Sequence, residues 1–241
     1  MLPRAAAILA VRVVPGMLPG IIEAAQRAAV SEFPGPIERS DARDAALLAM
    51  MPLIPTLGWT TAAARAAAGP DADLLFPGGA AEMVEAHADL GDRRMEQAAG
   101  TLTETRVTAR VRALILLRLE QSADEREAIR RGLSVLSLPR NRPAGLRSVA
   151  RTVDTIWHAA GDQSADMSWY TKRAILTGVY STTLLFWLRD TSGGGDTEAF
   201  LDRRLVDVAR FGRATGTLRR GLSYAARRAA ALSGGMRTNA S

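Results

Sequence analysis

The 241-residue chain has no cysteine, so disulfides, thiolate metal sites, iron–sulfur clusters and cysteine nucleophiles are excluded together. Lysine is nearly missing as well: Lys172 stands alone among 31 basic residues, and the other 30 are arginine. That skew, with abundant alanine, reads as the codon bias of a GC-rich genome. Histidine occurs only at His87 and His158, and aromatics make up 5% of the chain, which leaves little material for side-chain catalysis. The longest uncharged stretch of helical pattern, Ala174 to Leu188, is 15 residues. Crossing a bilayer takes about 20, so no spanning helix is expected.

What the chain does have is length, positive charge and helical periodicity. A chain of this size buries a core without disulfide or metal staples. Its net charge of +6 and pI near 10.8 favour a polyanionic partner, nucleic acid or an anionic membrane, without choosing between them. Residues 1–39 read as a loose leader. The apolar run Ala5 to Val14 is broken by Arg12 and followed by Pro15, Gly16, Pro19 and Gly20, which suits neither the core nor the cleavage site of a signal peptide. The lack of acids before Glu23 would also suit a weak transit-like peptide.

From Ser40 onward apolar residues recur at helical spacing and nowhere alternate over a strand length, so the remainder is expected to be all-α. Ser40 caps a helix from Asp41 to Met51 that Pro52 and Pro55 stop, and Thr60 or Thr61 caps an alanine-rich helix ending at Gly69-Pro70. A short turn over Asp71 to Phe76 leads into Ala80–Ala98. Further helices follow over Thr103–Gln121, Asp124–Leu136, Ala144–Ala160, Ser168–Asp190, Thr197–Arg213 and Thr217–Leu232. Ser192-Gly193-Gly194-Gly195 reads as the loosest linker. The Ser168–Asp190 helix is apolar nearly all round past Arg173, the pattern of a central buried helix. With Thr177, Tyr180, Ser181, Thr182 and Thr183 interleaved, it could equally line an internal cavity.

Catalytic patterns are thin, and no catalytic residue, metal site or cofactor is assigned. Asp154 and His158 stand at i, i+4, which suits a carboxylate satisfying or orienting an imidazole, but a metal needs a further ligand and His87 is the only other histidine. Gly221-Leu222-Ser223 lacks the following glycine of a nucleophile elbow, and the triple glycine lacks the residues of a phosphate loop. The succession from Thr60 to Ala98, with Leu74-Leu75-Phe76-Pro77 where a recognition helix would end, resembles the DNA-binding end of TetR-type repressors. The recognition segment here is Asp71-Ala72-Asp73-Leu74-Leu75, two carboxylates and no base, which would repel phosphate. The basic charge lies elsewhere. Leu218, Leu222, Ala225, Ala229 and Leu232 form one narrow apolar stripe, with Arg219, Arg220, Arg227 and Arg228 off it. Such a helix either lies in an anionic membrane interface or docks on its own bundle.

The most specific stretch runs from Ser137 to Arg213: Leu138-Pro139-Arg140-Asn141-Arg142-Pro143, Val153-Asp154-Thr155-Ile156-Trp157-His158, Ala160 to Ser164, Trp169-Tyr170-Thr171-Lys172-Arg173 and Phe200-Leu201-Asp202-Arg203-Arg204. It resembles the ninth coenzyme Q protein family, accessory proteins of coenzyme Q (ubiquinone) biosynthesis. The likeness continues more weakly to Ser40, through Leu57-Gly58-Trp59-Thr60. An aromatic residue near Met167 and an asparagine near Ser168, which the family pattern would have, are not there.

The resemblance implies a TetR-like all-helical fold, usually homodimeric, without catalytic activity. It implies a protein that binds isoprenoid quinone intermediates and presents them to the di-iron demethoxyubiquinone hydroxylase, on the cytoplasmic face of a bacterial inner membrane. Its docking surface maps onto Ile156, Asp166, Trp169, Tyr170 and Arg173. A lipid-binding wall is expected from the apolar central helices: Val111, Leu114, Val153, Trp157, Leu176, Val179, Tyr180 and Thr183. Membrane contact falls to Leu218, Arg219, Arg220, Leu222, Arg227 and Arg228. The corresponding division is a leader to 39, a lipid-binding helical domain over 40–213, an amphipathic helix over 214–233 and a tail. The competing reading is a TetR-type transcriptional regulator with an apolar ligand pocket. No specific nucleic-acid partner is expected.

Overall fold

The computed structural model describes residues 37–162 and 167–210. The expectations placed on the leader and on the Thr217–Leu232 helix lie outside these residues. Among the described residues there are ten α-helices, three short 3-10 turns and no strand.

The helices begin where local chemistry satisfies their first N–H groups. The Ser40 hydroxyl accepts from the Arg43 amide at 3.2 Å to start α1 (Asp41–Met50). Thr60 does the same through Ala63 at 3.2 Å for α3 (Thr61–Ala68). Between them Pro52 ends α1 as expected, but Pro55 sits in the first turn of a new one-turn helix, α2 (Ile54–Leu57), where its missing N–H is not needed. The acidic segment is a one-turn helix, α4 (Ala72–Leu75), rather than a bare turn. The long α5 (Gly79–Ala98) follows.

α6 spans Val107–Glu120, starting four residues later than the periodicity predicts. Arg110 reaches back to the carbonyls of Ala99 (2.9 Å) and Leu102 (3.3 Å), holding the preceding loop in a non-helical shape. α7 (Arg126–Ser137) and α8 (Arg142–Ala159) then stack against α5, α9 (Met167–Trp187) packs on α8 and α6, and α10 covers 195–210.

The triple glycine is no loose linker. The Asp190 carboxylate accepts from the amide and hydroxyl of both Ser192 (2.7 and 2.6 Å) and Thr197 (2.9 and 2.5 Å), closing a compact turn in which Gly193 and Gly194 take positive φ. Those four donors hold its carboxyl well below the usual carboxylate range. Arg126 and Arg130 of α7 cap the end of α9 from the side. Arg126 donates to the carbonyls of Trp187 (3.0 Å) and Asp190 (2.6 Å), and Arg130 donates to that of Leu188 (2.8 Å).

Two apolar cores result, joined by α5. The first gathers Leu47, Met50, Ile54, Trp59, Phe76, Met83 and Leu90 from α1 to α5. Its keystone is a buried cation: Arg43 lies 4.7 Å over the Phe76 ring and donates to Glu82 at 2.7 Å and to the Leu75 carbonyl, tying the end of α4 to α5. The second gathers Met95, Val111, Leu114, Ile115, Val153, Ile156, Leu176, Val179 and Leu201. Burial of α9 is one-sided. Leu176, Val179, Thr183 and Trp187 face the core, whereas Leu185 is 42% exposed, so the central-helix expectation holds for one face only.

Candidate ligand-binding cavity

At the seam between the two cores lies an open cavity of about 430 Å3, within the range of small-molecule sites. Trp59, Val84 and Ala128 reach it from the first core, Leu119 and Tyr180 from the second. α7 contributes Ile129, Leu133 and Leu136, α8 contributes Gly145, Ser148, Val149 and Thr152, and α9 contributes Ser181, Leu184 and Leu185. Apolar side chains dominate the wall. Gly132 lets α7 approach: a Cβ there would stand 3.0 Å from Val84 Cγ1 and 3.4 Å from Trp59 Nε1, while that indole donates to the Ala128 carbonyl at 2.8 Å.

Two buried polar groups interrupt the apolar surface. His87 lies 5.3 Å from the Trp59 ring, and its Nε2 is 2.9 Å from the Glu125 carboxylate, which also accepts from Arg94 at 3.1 Å. The His87 hydrogen bond, with Arg94 adding to it, overcomes burial and holds the Glu125 carboxyl down to about 2. Deeper, Arg118 donates to Asp92 (3.0 Å), Ser122 (2.6 Å) and the Ala88 carbonyl (3.2 Å), and Asp92 accepts from the Thr152 hydroxyl at 2.8 Å. Burial pushes the Asp92 carboxyl up against the pull of Arg118 and Thr152. Burial also works against the Arg118 charge, but the neighbouring Tyr180 and Asp92 oxygens outweigh it and hold the guanidinium as a cation. Gly91 makes room for this pair, since α5 presses its backbone flat against the guanidinium.

The sequence-predicted lipid wall meets this cavity at one residue, Tyr180. Val111, Leu114, Val153, Leu176 and Val179 are packed inside the second core, and Trp157 is half-buried against it. Thr183 is buried and returns its hydroxyl to the Val179 carbonyl at 2.7 Å. Thr177 and Thr182 likewise bond their own helix, so of the polar side chains interleaved on α9 only Tyr180 and Ser181 line the cavity.

In the docking set, Ile156 has no exposed surface and is a core residue, which removes it as a contact. Arg173 pairs with Asp154 at 2.6 Å, so Asp154 serves α9 rather than His158, which is exposed. Lys172 pairs with Asp162 at 2.8 Å and lies 5.7 Å from the Trp157 ring. Asp166 and the Leu218–Arg228 membrane set lie outside the described residues, as do the side chains of Trp169 and Tyr170.

Sequence reasoning missed Trp59, His87, Arg118 and the α7 wall. A signal for part of this was present: Arg118 is a charge inside the apolar run Leu114-Ile115-Leu116-Leu117-Arg118-Leu119, and Gly91, Gly132 and Gly145 are isolated glycines inside helical patterns.

Comparison with known proteins bears on this arrangement. Residues 142–212, which hold the α8 and α9 side of the cavity, match the COQ9 family. The mitochondrial ubiquinone biosynthesis protein COQ9 of Xenopus tropicalis is 34% identical over 186 residues, 69% of this chain and 57% of the relative. This chain belongs to the COQ9 family. Rat COQ9 is 48% identical over 83 residues, 34% of this chain and 27% of that protein. The chain therefore spans little more than half of the frog COQ9 and a smaller share of the rat one. In structure it is similar to a TetR transcriptional regulator from Nitrosomonas europaea, with a TM-score of 0.57 and 26% identity over 70% of this chain and 99% of that one. The all-helical TetR-like fold read from the sequence is thus the fold observed. Among the described residues of this COQ9-family chain, no helix is long and apolar enough to cross a membrane.

Proposed function

We propose that this COQ9-family protein is a non-catalytic accessory protein of ubiquinone biosynthesis that holds an isoprenoid quinone intermediate in the seam cavity and delivers it to the demethoxyubiquinone hydroxylase. The observation that carries the proposal is the cavity itself: open, mostly apolar, and walled on one side by α8 and α9, the helices that match the family. In this reading residues 40–213 are the lipid-binding unit. Trp169 and Tyr170, on the helix that bears Lys172 and Arg173, carry docking to the hydroxylase. The basic segment over 214–233 attaches a homodimer to the cytoplasmic face of a bacterial inner membrane, its arginines on lipid phosphate.

The TetR-like fold favours a second reading, a ligand-responsive regulator. Its recognition helix here is one turn long, with Asp71 just before it and Asp73 on it, the latter ion-paired to Arg65, so the chemistry of base and phosphate contact is missing there. Lipid extraction and mass spectrometry of the purified protein separate the readings. Isoprenoid quinone precursors are expected to co-purify with the wild type and to be lost from Ser181→Trp, which puts an indole on a cavity-lining position. Only bulk phospholipid in membrane proportion, equal in both proteins, would refute the carrier.

A further inference from the structure

Among the residues that line the seam cavity, only Ser137 and Leu185 are exposed, so its wall meets solvent at the ends of α7 and α9. Ser137 is the last residue of α7. From it the chain turns into α8 through Leu138-Pro139-Arg140-Asn141-Arg142-Pro143. This corner is fixed. Asn141 Nδ2 donates to the Val135 carbonyl at 2.9 Å, the Asn141 backbone N–H donates to the Leu138 carbonyl at 2.9 Å, and the two prolines lock their own φ. Gly145 then brings α8 against Leu136, where a Cβ would stand 3.4 Å from the leucine Cβ. The side chains of the corner face solvent: Leu138 is 42% exposed, and Pro139, Arg140, Arg142 and Pro143 are exposed with it.

Its charge is of one sign. Between Glu127 and Asp154 the sequence has six arginines and no acid. Four of the six are engaged from outside the corner, Arg130 and Arg131 by Glu127, Arg147 and Arg151 by Glu85. Arg140 and Arg142 have no hydrogen bond or ion pair to any described residue. On α9 the exposed Arg189 follows Leu185 by about one turn. An exposed leucine between prolines, flanked by two uncommitted guanidiniums on a rigid turn, has the chemistry of a bilayer-interface anchor: an apolar body for the acyl boundary and cations for the phosphates. A nucleic acid would answer the charge but leave Leu138 and the prolines without an apolar partner.

We propose that the α7–α8 corner is a contact with an anionic bilayer, separate from the 214–233 segment, with Leu138 among the headgroups and Arg140 and Arg142 on lipid phosphate. It lays the Ser137 and Leu185 edge of the cavity on the membrane. That purpose rests on the lipid-holding reading above; the contact itself rests on the corner. A tether at 214–233 alone would leave the cavity free to face any direction, whereas a second contact beside its edge fixes which way it opens.

The test uses the full chain with vesicles of phosphatidylcholine alone and of phosphatidylcholine mixed with phosphatidylglycerol. Because the chain has no cysteine, Leu138→Cys accepts a polarity-sensitive NBD label at that position alone. Its emission is expected to brighten and shift to the blue on mixed vesicles and to keep its aqueous value on phosphatidylcholine. The same label at Val107→Cys should not respond. Val107 is also 42% exposed, but it lies by the far end of α8, where Arg110 donates to the Ala159 carbonyl. Arg140→Gln with Arg142→Gln is expected to weaken partition onto mixed vesicles roughly thirtyfold, about fivefold for each basic residue near the surface. Arg106→Gln with Arg203→Gln removes the same charge from exposed positions elsewhere and should stay within about threefold of wild type. An aqueous label at 138 on vesicles that hold the protein, a response at 107 equal to that at 138, or equal losses in the two double variants overturns the corner and leaves the carrier reading, which lipid extraction tests, in place. Wild type that ignores mixed vesicles overturns the corner together with attachment through 214–233.

Discussion

Gly91→Ala sets two effects of opposite sign against each other. In the interior of a helix, alanine in place of glycine is favourable by about 1 kcal/mol, because glycine gives up more backbone freedom on folding. At this position, however, the new Cβ would stand 2.3 Å from Arg118 Nη2, 2.4 Å from Cζ and 2.7 Å from Nη1. The far end of an arginine normally swings away from such an intrusion at little cost. Here it is buried and fixed by Asp92, Ser122 and the Ala88 carbonyl, so moving it to van der Waals distance means loosening all three. Breaking a buried ion pair costs about 3–5 kcal/mol. Set against the propensity gain, a net loss of about 2–4 kcal/mol is expected. For a protein of this size that lowers the melting temperature by roughly 5–15 °C. Circular dichroism melts and urea midpoints measure it. The sign should reverse in an Arg118→Met, Asp92→Leu background, where the crowding and the charges are gone and the same alanine should stabilise by up to about 1 kcal/mol. A Gly91→Ala protein as stable as wild type would show that the guanidinium is not held against the α5 backbone, and the account of the buried Arg118–Asp92 pair would go with it.

Three further outcomes follow from the structure. The Glu125 carboxyl is depressed from 4.5 to about 2, so its contribution is fully present above about pH 4.5 and is lost as pH falls toward 2; urea midpoints should lose up to about 3 kcal/mol across that window, and a Glu125→Gln variant with the same acid profile would contradict this. Duplex DNA should bind only weakly and release in moderate salt, as expected of net positive charge without a recognition surface, and nanomolar, sequence-selective binding at physiological salt would be incompatible with the acidic α4. Deleting the residues after Gly216 should leave a folded cavity but much weaker flotation with anionic vesicles, and equal flotation of both forms would take the basic C-terminal segment out of the membrane contact.

Much of the architecture was legible because helix signals are local. Ser40 and Thr60 cap the helices they were expected to cap, since an N-cap needs only a side-chain oxygen and an amide three residues on. The failures are all long-range. Nothing near Thr103 announces that Arg110 will pull the preceding carbonyls out of helical register, and nothing near Asp154 shows that Arg173, 19 residues away, will claim it before His158 can. The triple glycine read as slack because glycine signals freedom, yet Asp190 and Thr197 close it into a tight turn. The cavity was hardest to place. Periodicity marks the apolar faces of α6, α8 and α9, but whether an apolar residue meets another side chain or a void depends on how three helices meet. Val111, Leu114, Val153, Leu176 and Val179 met one another.

The position of the cavity argues for a carrier more strongly than its size does. It lies where two separately packed cores meet along α5, the helix that links the recognition end of a TetR-like frame to its ligand-binding end. In a regulator a ligand at such a seam needs an output at the far end, a recognition helix whose placement on DNA it alters. α4 is one turn of Ala72-Asp73-Leu74-Leu75 pinned by Arg43 and ion-paired through Asp73, with no base-reading or phosphate-holding side chain on it. A ligand at the seam therefore has no operator contact to modulate. In the carrier reading the ligand sits between Trp59 on one core and Tyr180 on the other, both of which line the cavity. Leu185, at once cavity wall and exposed surface, is the apolar contact that the carrier reading offers to a receiving protein or lipid surface.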